Sequence, residues 1–336
     1  MRPYDSADSR QIWTEAVAAI PTPDVDPQSP PRFTFDRATK IASAGSCFAQ
    51  RVAHELSARG FTYVKAERDC DFSARYGNIY TTRQLAQLLE RATGAFRPSE
   101  DVWTNPQGRY IDPFRARAVP EGFPSVEALR ADRRQHLAAV VRAIETAEVF
   151  IFTLGLTEMW ISAIDGAAYS AAPGYGSGQY DAQKHLFHNS DVEENVAHLE
   201  RFLELAHRIN PELRVLLSVS PVPLALTYES ANVLSATTYS KSVLRVAAET
   251  IRRRHARIDY VASYEIVTNT GNGSAYFSDD RRNVSDAAVA HVMRSFFTNF
   301  APERLELSLD RPAVAPHEDP CDEEHVLRSV LADRAR

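Results

Sequence analysis

Residues 39–56 read Thr39-Lys40-Ile41-Ala42-Ser43-Ala44-Gly45-Ser46-Cys47-Phe48-Ala49-Gln50-Arg51-Val52-Ala53-His54-Glu55-Leu56. A run of small and β-branched residues feeds Gly45-Ser46-Cys47. A helical pattern over Ala49–Arg59 follows, with Val52, Ala53 and Leu56 on one face and Gly60 as its stop. Strand, glycine turn and helix form the first unit of an α/β sheet. The unit sets a hydroxyl and a thiol at a helix N-terminus, where N–H groups outside the helical ladder favour negative charge. Such a terminus lowers a thiol pKa or holds an oxyanion.

Working outward, five apolar runs predict buried strands: 39–44, 61–65, 148–154, 213–219 and 258–262. Val149–Leu154 and Val215–Val219 are nearly continuous, as in a parallel sheet covered on both faces. Helical patterns alternate with them at Thr82–Thr93, Val126–Thr146, Asp191–Ile209, Ser240–His255 and Asp286–Phe300. The fourth helix opens with Ser190-Asp191-Val192-Glu193, which reads as a capping box. The expectation is a three-layer α/β/α domain on a parallel five-stranded sheet, with ligands beyond the carboxyl ends of the strands. Stretches 95–124 and 163–190 lack periodicity. They are long loop insertions flanking strand 148–154, placed to roof one site. Residues 1–32 form an N-terminal extension, extended where it is Pro-rich, and 33–302 the folded domain. Residues 303–336 form an acidic C-terminal tail with a short helix at Glu323–Ala332.

The chain has 336 residues, 44% of them hydrophobic, enough for a sizeable core. A formal charge of −6, with Lys and Arg spread along helices, argues against a nucleic-acid partner. The three cysteines, Cys47, Cys70 and Cys321, match no disulfide framework. The first residues lack an apolar signal core, and no apolar run approaches the ~18 residues of a membrane span. A cytoplasmic protein acting on a small-molecule or carbohydrate substrate is expected, with no membrane partner. Its oligomeric state is left open.

Five blocks carry groups capable of chemistry. Gly45-Ser46-Cys47 is read either as a tight turn capped by Ser46 or as an exposed nucleophile. Thr153-Leu154-Gly155-Leu156-Thr157-Glu158-Met159-Trp160 ends a strand at a glycine and then offers a hydroxyl and a carboxylate. Ser220 leaves a strand just ahead of two prolines, Pro221 and Pro223, that stiffen the exit. Tyr264 and Glu265 end the last strand. Asp280 to Ser285 precede the last helix. His317, Cys321 and His325 have helical spacing, but Pro320 interrupts it and no metal is expected.

In this order the blocks resemble the GSCFA family, named for residues 45–49 and related to the SGNH/GDSL hydrolases. The likeness runs from about Phe33 to Phe300. It takes in Trp103, Arg109–Arg115, Ser218–Leu224, Tyr239-Ser240-Lys241 and Tyr260–Ile266. The resemblance implies a flavodoxin-like SGNH-type fold and acyl-group transfer or hydrolysis through an acyl-enzyme. Laid on the Gly-Asp-Ser pattern, Cys47 is the nucleophile; a one-residue slip makes it Ser46. Gly155 and Thr157 become oxyanion donors, with Gly77 or Asn78 as a second source. Glu158, Trp103, Tyr110 and Arg115 belong to the substrate side. The Asp-x-x-His block falls on Asp280-Arg281-Arg282-Asn283, and an amide cannot take a proton from a nucleophile. Either the base comes from elsewhere or this is not an ordinary Ser-His-Asp hydrolase. His188, backed by Glu265 or Asp280, is the expected base, with His185 and Lys241 as further candidates. No cofactor is implied beyond an acyl thioester donor as co-substrate. The alternatives are a Ser46 esterase deacylating a carbohydrate or small metabolite, and an inactive ligand-binding module.

Overall fold

Alternation within the apolar runs decides the layers. The computed structural model describes residues 2, 4–302 and 322–334. Its strands are β1 (Ile41–Ala44), β2 (Trp103–Thr104), β3 (Tyr110–Ile111), β4 (Val149–Leu154), β5 (Glu158–Ser162), β6 (His185–Asn189), β7 (Arg214–Val219) and β8 (Ile258–Val261). Its helices are α1 (Cys47–Ala58), α2 (Thr82–Thr93), α3 (Val126–Thr146), α4 (Val192–Ile209), α5 (Val233–Arg254), α6 (Ser263–Thr268), α7 (Asp286–Phe300) and α8 (Asp322–Arg334).

The central sheet is parallel in the order β1-β4-β7-β8. Phe150, Phe152 and Leu154 of β4 pack with Leu85, Val140, Leu199 and Leu244, from α2 to α5. Val149 and Ile151 point the other way, onto Phe48, Val52, Ile266 and Phe296 of α1, α6 and α7. Strand side chains alternate between faces, so each strand serves two cores. Among the described residues no helix is long and apolar enough to cross a membrane.

Among the described residues the sheet has four strands rather than the expected five. Run 61–65 meets β1 only at the bridge Ile41↔Tyr63, through Ile41 N–H to Thr62 O (2.9 Å) and Val64 N–H to Ile41 O (2.8 Å). The ladder stops because the next donor, Ser43 N–H, is taken by Ser73 Oγ at 3.0 Å. The chain then turns away through Asp69 at φ 52. Two helix starts also differ. The capping box of α4 is Asp191 with Glu194, one residue later than Ser190 with Glu193. Helix α5 starts at Val233, capped by Asn232, well before Ser240.

The first aperiodic stretch contains the hairpin of β2 with β3, and the second supplies β6, which pairs antiparallel with β5 just before it. They meet in a small core of Trp103, Ile111, Phe114, Ala167 and Tyr169. At the far edge, the N-terminal segment follows β8. Gln28 Nε2 donates to Tyr260 O (2.8 Å), Ala262 N–H donates to Gln28 Oε1 (3.0 Å), and Arg32 N–H donates to Asp259 Oδ2 (2.6 Å).

Gly45 joins β1 to α1 with φ +150, and an added Cβ would stand 2.7 Å from Ala49 Cβ and 3.0 Å from Thr153 O. Backbone strain and overpacking therefore act together. Gly45→Ala is expected to lower stability by about 2–4 kcal/mol, read as a reduced midpoint in urea unfolding.

Candidate active site

The turn after β1 puts Cys47 at the first position of α1, with Ser46 as N-cap. The first bond of the helix is Gln50 N–H to Ser46 O (3.2 Å), so the N–H groups upstream of Gln50 lie outside the ladder. Ser46 is buried, its side chain makes no capping bond, and its Oγ bonds nothing among the described residues. Cys47 is partly exposed and lines two cavities. The larger, about 410 Å³, is shared with Gln50, Asp69, Cys70, Asp71, Arg75, Gly77, Asn78, Arg117 and His325. The smaller, about 10 Å³, is shared with Ser46, Tyr80, Gly155, Ser220, Arg282 and Glu323.

Lys241 stands behind this turn. It is 1% exposed, and its Nζ donates to Gly155 O at 2.6 Å. Burial pulls its pKa down to about 8, against the opposing pull of the Glu323 carboxylate and the Cys47 sulfur. Burial pushes the Glu323 carboxyl up to about 7, against Arg282 and Lys241. Cys47 thus shares its smaller cavity with the Glu323 carboxyl and lies within electrostatic reach of buried Lys241.

Glu323 and His325 belong to α8, at the end of the expected acidic tail. Arg282 holds that helix, with Nη2 3.2 Å from Glu323 Oε2 and Nη1 2.5 Å from Glu324 Oε1. It also donates through Nε to Pro223 O (3.1 Å). Arg282 lies in the register where Asp-x-x-His was sought. Asn283 donates to Asp280 Oδ2 (2.6 Å) and stays within its own turn. Burial raises the Asp280 carboxyl, but the bonds from Arg282 and Asn283 outweigh this and leave it lowered. His317 and Cys321 lie outside the described residues.

Several expected residues are engaged elsewhere. Gly155 N–H donates to Tyr80 O (2.8 Å), so it is not an oxyanion donor here. Thr157 is fully buried; its N–H donates to Ser240 Oγ (3.1 Å) and its hydroxyl to Asn189 Oδ1 (2.6 Å). Both of its donors are spent. His188 lies on β6 with Nε2 2.8 Å from Glu194 Oε1 and lines neither cavity of Cys47. Glu265 pairs with Arg245 (2.6 Å) and accepts from Tyr260 (3.0 Å), so it does not back His188. His185 pairs with Glu100 (3.0 Å).

Arg115 is buried in ion pairs with Asp112 and Asp132, and Trp103 is core, so neither shapes the cavities of Cys47. Glu158 accepts from Thr227 Oγ1 (2.6 Å) and Tyr228 N–H (3.3 Å). Tyr264 packs against the core on the helix α2–α5 side. Ser220, Asn78 and Gly77 do border the cavities, and so does stretch 95–124, through Arg117, Ala118 and Pro120. Stretch 163–190 does not line them.

The family model for GSCFA matches residues 40–296. The chain belongs to the GSCFA family. Its family match stops before α8, so Glu323 and His325 come from outside the matched region. No curated protein matches this GSCFA chain. Among solved structures, it is similar to a family 3 carbohydrate esterase of Clostridium thermocellum at 10% identity. The TM-score is 0.34, with 78% of this chain and 94% of that chain covered.

Proposed function

We propose that this GSCFA protein is an acyl-group transferase or hydrolase in which Cys47 carries the acyl group as a thioester. The observation that carries the reading is the setting of Cys47: first residue of α1, partly exposed, on both cavities, with buried Lys241 behind it. A thiolate is favoured by a helix N-terminus and an adjacent cation.

In the reaction, the Cys47 thiolate attacks the acyl carbonyl carbon and a C–S bond forms. The carbonyl electron pair moves to oxygen, facing the N–H groups at the start of α1. The tetrahedral adduct collapses and expels the leaving group, which takes a proton from the His325 imidazolium. Water, or an alcohol or amine acceptor, then attacks the thioester and yields its proton to neutral His325. Cys47 leaves as thiolate. His325 is favoured over His188 because it shares the larger cavity with Cys47 and rides on a helix that Arg282 clamps. The wall of that cavity, with Asp69, Asp71, Gln50, Asn78 and Arg117, suits a hydroxyl-rich substrate such as a carbohydrate ester.

The test is competitive labelling of the full chain with iodoacetamide and with a fluorophosphonate, followed by peptide mapping. Preferential alkylation of Cys47 is the expected result. Phosphonylation of Ser46 would establish a serine esterase instead, and no reaction at either residue would favour a binding module.

Lys241→Met removes the cation that favours the thiolate. The pH profile of Cys47 alkylation is therefore expected to move to higher pH. An unmoved profile would remove Lys241 from the mechanism.

A further inference from the structure

A second cavity, about 760 Å³, opens between the C-terminal end of α2 and the outer face of α3. Its walls include Arg91, Arg97, Arg130, Arg133 and Arg134, with Asp101 as their one carboxylate. Asp101 is already shared, with Arg133 Nη1 at 2.8 Å and Arg130 Nη2 at 3.3 Å. Arg97 and Arg134 form no ion pair among the described residues. Arg91 lies against the Phe114 ring, 4.3 Å from guanidinium carbon to centroid, and its Nε is buried with no hydrogen-bond partner. Buried polar groups are almost always paired, so an orphaned guanidinium nitrogen at a cavity wall calls for an explanation.

We propose that this cavity binds a soluble compound carrying adjacent phosphate groups. Guanidinium forks match phosphate oxygens two at a time, and several around one concavity match an anion of more than one charge. The concave shape favours a discrete small molecule over a flat lipid surface. Burial lowers the Arg91 pKa to about 10, so desolvation bears on the group that would meet the anion. The site is separate from Cys47, and the inference stands whether or not the thiol is catalytic.

The test is isothermal titration of the full chain with inorganic pyrophosphate at low salt. Saturable binding of one equivalent is expected, weakening steeply as salt rises. The double variant Arg97→Gln/Arg134→Gln, both on exposed side chains, is expected to weaken binding by about tenfold or more. Arg91→Met is expected to do the same, with circular dichroism reporting on its fold. Absence of binding to the wild-type chain would overturn the proposal. So would equal affinity in the double variant, or binding to phosphatidic acid vesicles without binding to pyrophosphate.

Discussion

Replacing Cys47 by alanine is expected to abolish the acyl-enzyme and lower turnover of an activated ester by on the order of 10⁴- to 10⁶-fold. With p-nitrophenyl acetate, the wild-type chain should gain one acetyl group by intact mass, mapped to Cys47. The alanine variant should gain none while keeping its circular dichroism spectrum. Cys47→Ser should fare little better, because a hydroxyl needs a close base and Lys241 Nζ is held by Gly155 O at 2.6 Å. Ser46 is not expected to substitute, since its hydroxyl is buried and has no hydrogen-bond partner among the described residues. Full turnover in the alanine variant would end the thioester mechanism.

His325→Gln is expected to leave the acetylation burst largely intact and to slow its decay by about 10²- to 10⁴-fold. The asymmetry follows from the roles. The thiolate is supported by the helix terminus and Lys241, and p-nitrophenolate leaves without needing a proton. Water attacking the thioester does need a base. The pH dependence of deacylation should lose its imidazole limb in this variant, which a merely structural histidine would not produce. Arg282→Ala should show the same slow decay by releasing the Glu323 and Glu324 contacts that seat α8, with the limb still visible in the residual rate. Unchanged deacylation in His325→Gln would exclude the imidazole as base without touching the assignment of Cys47.

The two-faced strands and the Gly45 turn were legible because they obey local rules. Val149 and Ile151 against Phe150 and Phe152 give the period of a buried strand, and a glycine between strand and helix marks a bend that a side chain would obstruct. The failures involve competition between distant groups. Nothing near Ser43 shows that its N–H will be claimed by Ser73 and so end the ladder. The Gly155 and Thr157 donors looked available in one dimension and are consumed by Tyr80, Ser240 and Asn189 in three.

The family resemblance assigns Trp103 and Arg115 to the substrate side. They belong to a core and an ion-pair network of stretch 95–124. The most consequential omission was α8. Its helix was anticipated, but Glu323 and Glu324 read as part of a solvated acidic tail. The signal that pointed to their partner was the arginine at 282, one residue before the position where a histidine was sought.

The Gln28 side chain along β8 has a bearing on behaviour at high concentration. An outer strand offers a row of backbone groups to any passing strand of another molecule. Here the Gln28 carboxamide and the Arg32 guanidinium, the latter donating to Ile258 O at 3.2 Å, are borrowed from the first 32 residues to occupy that row. Trimming those residues would leave the carbonyl of Tyr260 and the N–H of Ala262 open to intermolecular pairing, so shortened versions of the chain should precipitate where the full chain stays dispersed.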